Sequence, residues 1–153
     1  MIQRIQSLYL LVVFILISLT SFMPLALLVG ANGKVFPFFS RGILGHEPGA
    51  EMIYNSWPLA VLLVLIALIA LVSLFLYKKR ILQIRFTVIN ILLMIGSLGL
   101  IYYNVNSQVE ALNATVQYQI ADIFPVIGAI LSYLAIRSIG KDEALIRSID
   151  RIR

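Results

Sequence analysis

The stretch LAVLLVLIALIALVSLFLY, Leu59 to Tyr77, runs directly into Lys78-Lys79-Arg80, and its reading decides the fold class. No residue in it is charged, and Ser73 is the one hydroxyl before Tyr77. An α-helix of that length spans about 28 Å, close to the hydrocarbon thickness of a bilayer. The segment therefore reads as a membrane span. The three cations after it mark the cytoplasmic end, because Lys and Arg beside a span are retained on that side.

Composition agrees. Of 153 residues, 61% are hydrophobic and 12% charged, whereas the surface of a soluble domain needs about a quarter of its residues charged. The net charge of +5 does not indicate nucleic acid. The cations sit at the ends of apolar runs, where topology and anionic headgroups account for them, and no basic stripe is interleaved with stacking aromatics. With no cysteine in the chain, disulfides, thiolate metal sites and sulfur redox chemistry are excluded.

Three further spans are expected, giving approximate ranges of 5–29, 59–77, 81–103 and 118–139. The first follows Arg4 and is too long for the apolar core of a signal peptide, so it reads as a retained helix. Pro24 is expected to kink its far third, with Ser18, Thr20 and Ser21 satisfying the freed backbone. The connection from Gly30 to Pro58 is rich in Gly and Pro and reads as an irregular outer loop or a set of short strands. Its Val35-Phe36 and Phe38-Phe39 pairs are too apolar for water and are expected at the outer interface or over the bundle. His46, Glu47 and Glu51 have the chemistry of metal ligands, but a single His on a flexible loop is better read as solvated. Tyr54 and Trp57 suit the headgroup level before the second span.

The short basic turn forces spans two and three to lie side by side and antiparallel. Gln83 and Arg85 fall in the first turns of span three, where Arg85 can snorkel. Asn90 falls near the bilayer centre, where an unpaired amide is costly, so it should face other helices, with Ser132 or Ser18 at matching depth. Gly96, Ser97 and Gly99 form a small-residue patch suited to close helix approach. In the second outer loop, Val105, Val109, Leu112 and Val116 have the spacing of a short amphipathic helix. The sequon Asn113-Ala114-Thr115 carries no weight outside a eukaryotic secretory pathway. Asp122 is the acidic residue of span four, expected a turn or two below the outer surface and level with Thr20, Ser21 and Ser97. It reads as a helix-start carboxylate complementing the dipole, or as a proton or cation contact. Residues 141–153 have Leu145, Ile149 and Ile152 on one line, an amphipathic tail for the inner leaflet or a cytoplasmic partner.

Four spans place both termini on one side. Arg4, Lys78, Lys79, Arg80, Arg85, Arg137, Lys141, Arg147, Arg151 and Arg153 fall on it, against Lys34 and Arg41 opposite, which together make up the 12 cations of the chain. This asymmetry orients both termini to the cytoplasm. The expected fold class is thus an all-α membrane protein, a single domain over 1–153, with four transmembrane helices in an antiparallel bundle.

The start Met1-Ile2-Gln3-Arg4-Ile5-Gln6, the Trp57-Pro58-Leu59 entry to span two, Leu82-Gln83-Ile84-Arg85, and Lys141-Asp142-Glu143-Ala144-Leu145 leading to Asp150-Arg151 resemble a family of small four-span inner-membrane proteins of Bacteroidota, domain-of-unknown-function family 4293. The resemblance covers essentially the whole chain. It implies a bacterial inner membrane and no assigned activity. The spans contain no paired carboxylates, His pairs, nucleophile–base constellation or nucleotide loop, so no catalytic, cofactor-binding or metal residue is expected. The leading expectation is an accessory or structural subunit of a larger membrane assembly. Its partners would be membrane lipids and another membrane protein, with self-association compatible, meeting at Lys78, Lys79, Arg80, Arg147, Arg151 and Arg153. The alternative is a small transporter or lipid-handling protein using the intramembrane polar residues Asn90, Asp122, Ser97 and Thr20.

Overall fold

The computed structural model describes residues 2–30, 33–44 and 52–150. In chain order these form α1 (Ile2–Phe22), β1 (Ala26–Gly30), β2 (Val35–Phe39), β3 (Gly42–Leu44), β4 (Met52–Asn55), α2 (Trp57–Phe75), α3 (Arg80–Leu112), β5 (Ala114–Tyr118) and α4 (Phe124–Asp150), with 3-10 turns at Leu76–Lys78 and Ile120–Ile123. Four helical segments, Ile5–Phe22, Trp57–Phe75, Arg80–Leu112 and Ile120–Ala144, are long and apolar enough to cross a membrane.

The helices pack in a ring, α1 against α2 and α4, and α3 against the same two. Their inner faces follow one rule. Buried positions advance in steps of four and three: Gln6, Leu10, Val13, Ile17 and Thr20 on α1; Leu59, Leu63, Ile66, Ala70 and Ser73 on α2; Gln83, Thr87, Asn90, Met94 and Ser97 on α3; Gly128, Ser132, Ala135, Ile139 and Asp142 on α4. A repeat of 3.5 residues keeps one seam turned inward as the helices coil left-handedly around one another. The outward faces are the more apolar ones. On α3, Ile81, Val88, Ile89, Leu92 and Ile95 are exposed while Gln83, Thr87, Asn90 and Ser97 are buried. Such a surface far exceeds the apolar patch a water-soluble monomer tolerates and fits a solvent of acyl chains.

An all-helical fold is not what the chain adopts. Of the two forms expected for the connection before α2, short strands are the one found, and with β1 and β5 they make five antiparallel strands in the order β4-β3-β2-β1-β5. Pro24 ends α1 instead of kinking it. Met23 donates the last helical bond, to Leu19 O, and proline supplies no N–H while pushing the preceding residue out of helical geometry. Leu25 then donates to Phe38 O at 2.8 Å and accepts from Gln119 N–H at 2.9 Å. The segment expected as the end of span one is thus β1, the second strand from one edge.

Other boundaries shift for similar local reasons. Helix α3 continues to Leu112, so Val105 and Val109 lie on it and not on a separate amphipathic helix. It stops at Asn113, whose φ of 44° is left-handed and whose N–H caps Glu110 O and Val109 O. Asn tolerates that geometry. Val116 belongs to β5, paired with Leu28 of β1. Helix α4 begins only at Phe124 and runs unbroken to Asp150, so the expected tail helix is its continuation, and 151–153 lie outside the described residues, as do His46, Glu47 and Glu51. The Phe pairs do cover the bundle: Phe38 is fully buried in the core and Phe36 packs against it. Trp57 is exposed at the start of α2, while Tyr54 is half-buried.

Candidate functional site

The polar groups inside the helical ring form a column along its seam, densest on α3. Several are satisfied locally. Thr87 Oγ1 donates to Gln83 O at 2.8 Å, Ser97 Oγ to Met94 O at 2.7 Å, and on α1 Thr20 Oγ1 and Ser18 Oγ donate to Leu16 O and Phe14 O. These bonds turn each hydroxyl back on its own helix, so the expected cluster of Asp122 with Thr20, Ser21 and Ser97 is not joined by hydrogen bonds. Ser21 contributes its carbonyl, which accepts from Ser40 Oγ at 2.7 Å.

Asn90 is buried as expected, with 1% of its surface exposed. Its Oδ1 has no hydrogen-bond partner. Neither expected partner supplies one, since Ser18 is committed to Phe14 O, and Ser132 Oγ is itself buried and unpaired, as is Ser73 Oγ. Asp122 lies in the 3-10 turn that precedes α4, near the start of the apolar segment Ile120–Ala144, half-buried, its N–H donating to Gln119 O at 3.0 Å. It lies beside Tyr118. Burial, then the Asp122 charge, then Tyr102 push the Tyr118 phenol above its ordinary pKa, so it stays a protonated donor at the rim of the sheet.

Two polar pairs, one buried and one half-buried, escaped the sequence reading. At the end away from the sheet, Gln6 Nε2 donates to Asp142 Oδ2 at 2.6 Å, joining α1 to α4. At the sheet end, Tyr54 OH donates to Asn104 Oδ1 at 2.7 Å while Asn104 Nδ2 donates to Leu100 O, so β4 is tied to α3. For the first, the signal for burial, though not for the pairing, was present. Gln6 and Asp142 fall on the four-three repeats of their helices, a position that puts a polar residue inside.

Of the small-residue patch, Ser97 is buried, while Gly96 and Gly99 meet no other helix of this chain. A Cβ on Gly96 or Gly99 would meet nothing within 4 Å, whereas one on Gly128 would meet Met94 Sδ at 3.3 Å and Ile17 Cδ1 at 3.8 Å. The close approach of α1, α3 and α4 is therefore made at Gly128. Of the basic residues, Lys79 is exposed and Arg80 half-buried with Nη1 buried and unpaired. The side chains of Lys78 and Arg147, and Arg151 and Arg153 altogether, lie outside the described residues. Among the described residues no group of three or more His, Asp or Glu is placed to hold a metal ion.

A closed four-helix ring over which two connections build one sheet is the arrangement to be placed among known proteins. The family described as Domain of unknown function (DUF4293) matches residues 2–152. The chain belongs to this family. No curated protein and no solved structure matches it. Membership in DUF4293 agrees with the resemblance carried by the chain's two ends and its basic turn, and supplies no catalytic assignment.

Proposed function

We propose that this DUF4293 chain is a non-catalytic, multi-pass protein of a bacterial inner membrane, of Bacteroidota origin, acting as an accessory or structural subunit of a larger membrane assembly. In this reading the helices form an antiparallel bundle, both termini and the basic turn face the cytoplasm, and the sheet faces outward. The ten-to-two division of the 12 cations supports the orientation. The observation that carries the subunit reading is the polar seam, where Thr20, Thr87 and Ser97 turn their hydroxyls back onto their own helices instead of lining a passage. What remains for a partner to use is surface, the apolar outer helix faces and the sheet. Crosslinking in membranes, followed by detergent extraction and mass spectrometry, should recover the chain joined to a second membrane protein. Recovery only as an isolated monomer overturns the reading.

The unpaired Asn90 Oδ1 and Ser132 Oγ favour the second reading, a small transporter or lipid-handling protein. Asn90→Leu separates the two. With a purely structural Asn90, removing a buried unsatisfied amide stabilises the chain by about 1 kcal/mol, read as a raised thermal midpoint in detergent, and cells keep the wild-type phenotype. A stabilised protein that no longer complements a deletion strain favours transport.

A further inference from the structure

On the flank of the bundle, where the ends of α1 and α2 meet the turn between β2 and β3, there is a half-enclosed crevice of about 410 Å³. Its volume is that of a small-ligand site. Phe22, Phe39, Ala60 and Val64 make apolar walls, with Arg41 at the rim. Phe22 and Val64 are 80% and 52% exposed, and Val64 lies off the buried line of Leu59, Leu63 and Ile66. The mouth thus opens sideways, onto the face that acyl chains cover.

The walls are fixed before any ligand arrives. Phe39 pairs with Gly42, leaving Ser40-Arg41 as a two-residue turn. Ser40 Oγ donates to Ser21 O, and Ser56 N–H donates to Arg41 O at 2.7 Å. The Arg41 backbone is thereby held against the first turn of α2, while its side chain is exposed and has no carboxylate partner among the described residues. Two positive features converge there, the guanidinium and the N-terminal end of the 19-residue α2. Below them lies a channel of hydrocarbon character reaching Val64, well inside the Trp57–Phe75 span.

We propose that this crevice binds one anionic glycerophospholipid from the leaflet at the sheet end. Its phosphate forks onto Arg41 and one acyl chain lies along Phe22, Phe39 and Val64. A guanidinium matches phosphate oxygens in bidentate geometry. A zwitterionic lipid offers the same phosphate but brings its own cation close to Arg41, so the net attraction is smaller. The inference requires only that the four helices sit in a bilayer; it stands or falls separately from the subunit reading.

The test uses the full chain in detergent micelles, titrated with dioleoyl-phosphatidylglycerol or dioleoyl-phosphatidylcholine, with bound lipid counted by native mass spectrometry. The wild type should retain the anionic lipid about fivefold more strongly, the effect of one well-placed cation. Arg41→Gln should abolish that preference without changing the thermal midpoint in lipid-free micelles. Val64→Trp, on a lipid-facing position that tolerates bulk, should reduce retention of both lipids, and Val64→Phe serves if the larger ring impairs folding. Lys34→Gln, which removes the other cation of the sheet end, should leave the preference intact. Equal retention of the two lipids by wild type overturns the proposal. So does a Lys34→Gln loss equal to that of Arg41→Gln, or full retention with the crevice filled.

Discussion

Gly42→Ala is expected to lower stability by about 3 kcal/mol or more and to detach the sheet from the helices. Gly42 has φ of 137°, and a Cβ there would lie 1.9 Å from Tyr54 O and 2.9 Å from Tyr54 C. Those atoms are backbone of the neighbouring strand β4, which cannot rotate away as a side chain could. Either β3 and β4 separate or Gly42 leaves a conformation that side-chain-bearing residues rarely adopt. Both outcomes strain Ser56 N–H to Arg41 O and Tyr54 OH to Asn104, the bonds that seat this end of the sheet. Gly33→Ala is the control: its φ is also positive, at 72°, but no atom lies within 4 Å, so only the conformational cost of about 1 kcal/mol applies. Thermal unfolding in detergent, followed by circular dichroism, reads both. A Gly42→Ala protein within about 0.5 kcal/mol of wild type, the range of a neutral surface change, contradicts the close approach.

Gly128→Leu is expected to destabilise the ring by about 2 kcal/mol or more. The first added carbon already presses on the Met94 sulfur and approaches Ile17, and the rest of a leucine has to displace both. Gly128→Ala asks less, because the end of a Met side chain can shift by a few tenths of an ångström. It also replaces a helical glycine, so its cost should be small and of either sign. Parallel thermal melts of the two variants give the comparison. Equal, negligible effects mean that α1, α3 and α4 do not meet at this level.

The helices were legible because length and apolarity are local properties. Leu59 to Tyr77 declares a span without reference to any other residue, and the four spanning segments follow from the same measure. The pairing that joins the strands into one sheet, and β1 itself, were not legible for the opposite reason. Ala26–Gly30, read alone, is as apolar as the helix before it, and its identity as a strand depends on Tyr118 and Phe38, to which Ala26 is paired. Pro24 was the available local mark, and it terminates more firmly than it kinks. Among the site residues, the burial of Asn90 followed from the cost of an amide in lipid, which needs no knowledge of neighbours. Gln6 and Asp142 stand 136 residues apart, and no local pattern pairs them. Asp122 sits in a 3-10 turn and not in a regular helix because strand β5 and that turn, invisible in composition, delay the start of α4 to Phe124.

The pairing of β1 with β5 also sets a clock on biogenesis. Ala26 leaves the ribosome long before its partner Tyr118, and α2 and α3 are threaded in between. During that interval β1 carries a row of unclaimed N–H and C=O groups on its far side, an invitation to wrong strands. The sheet is a latch that shuts only when the last connection arrives. A chain stalled after α2 therefore displays a raw edge, open to any extended segment that reaches it first.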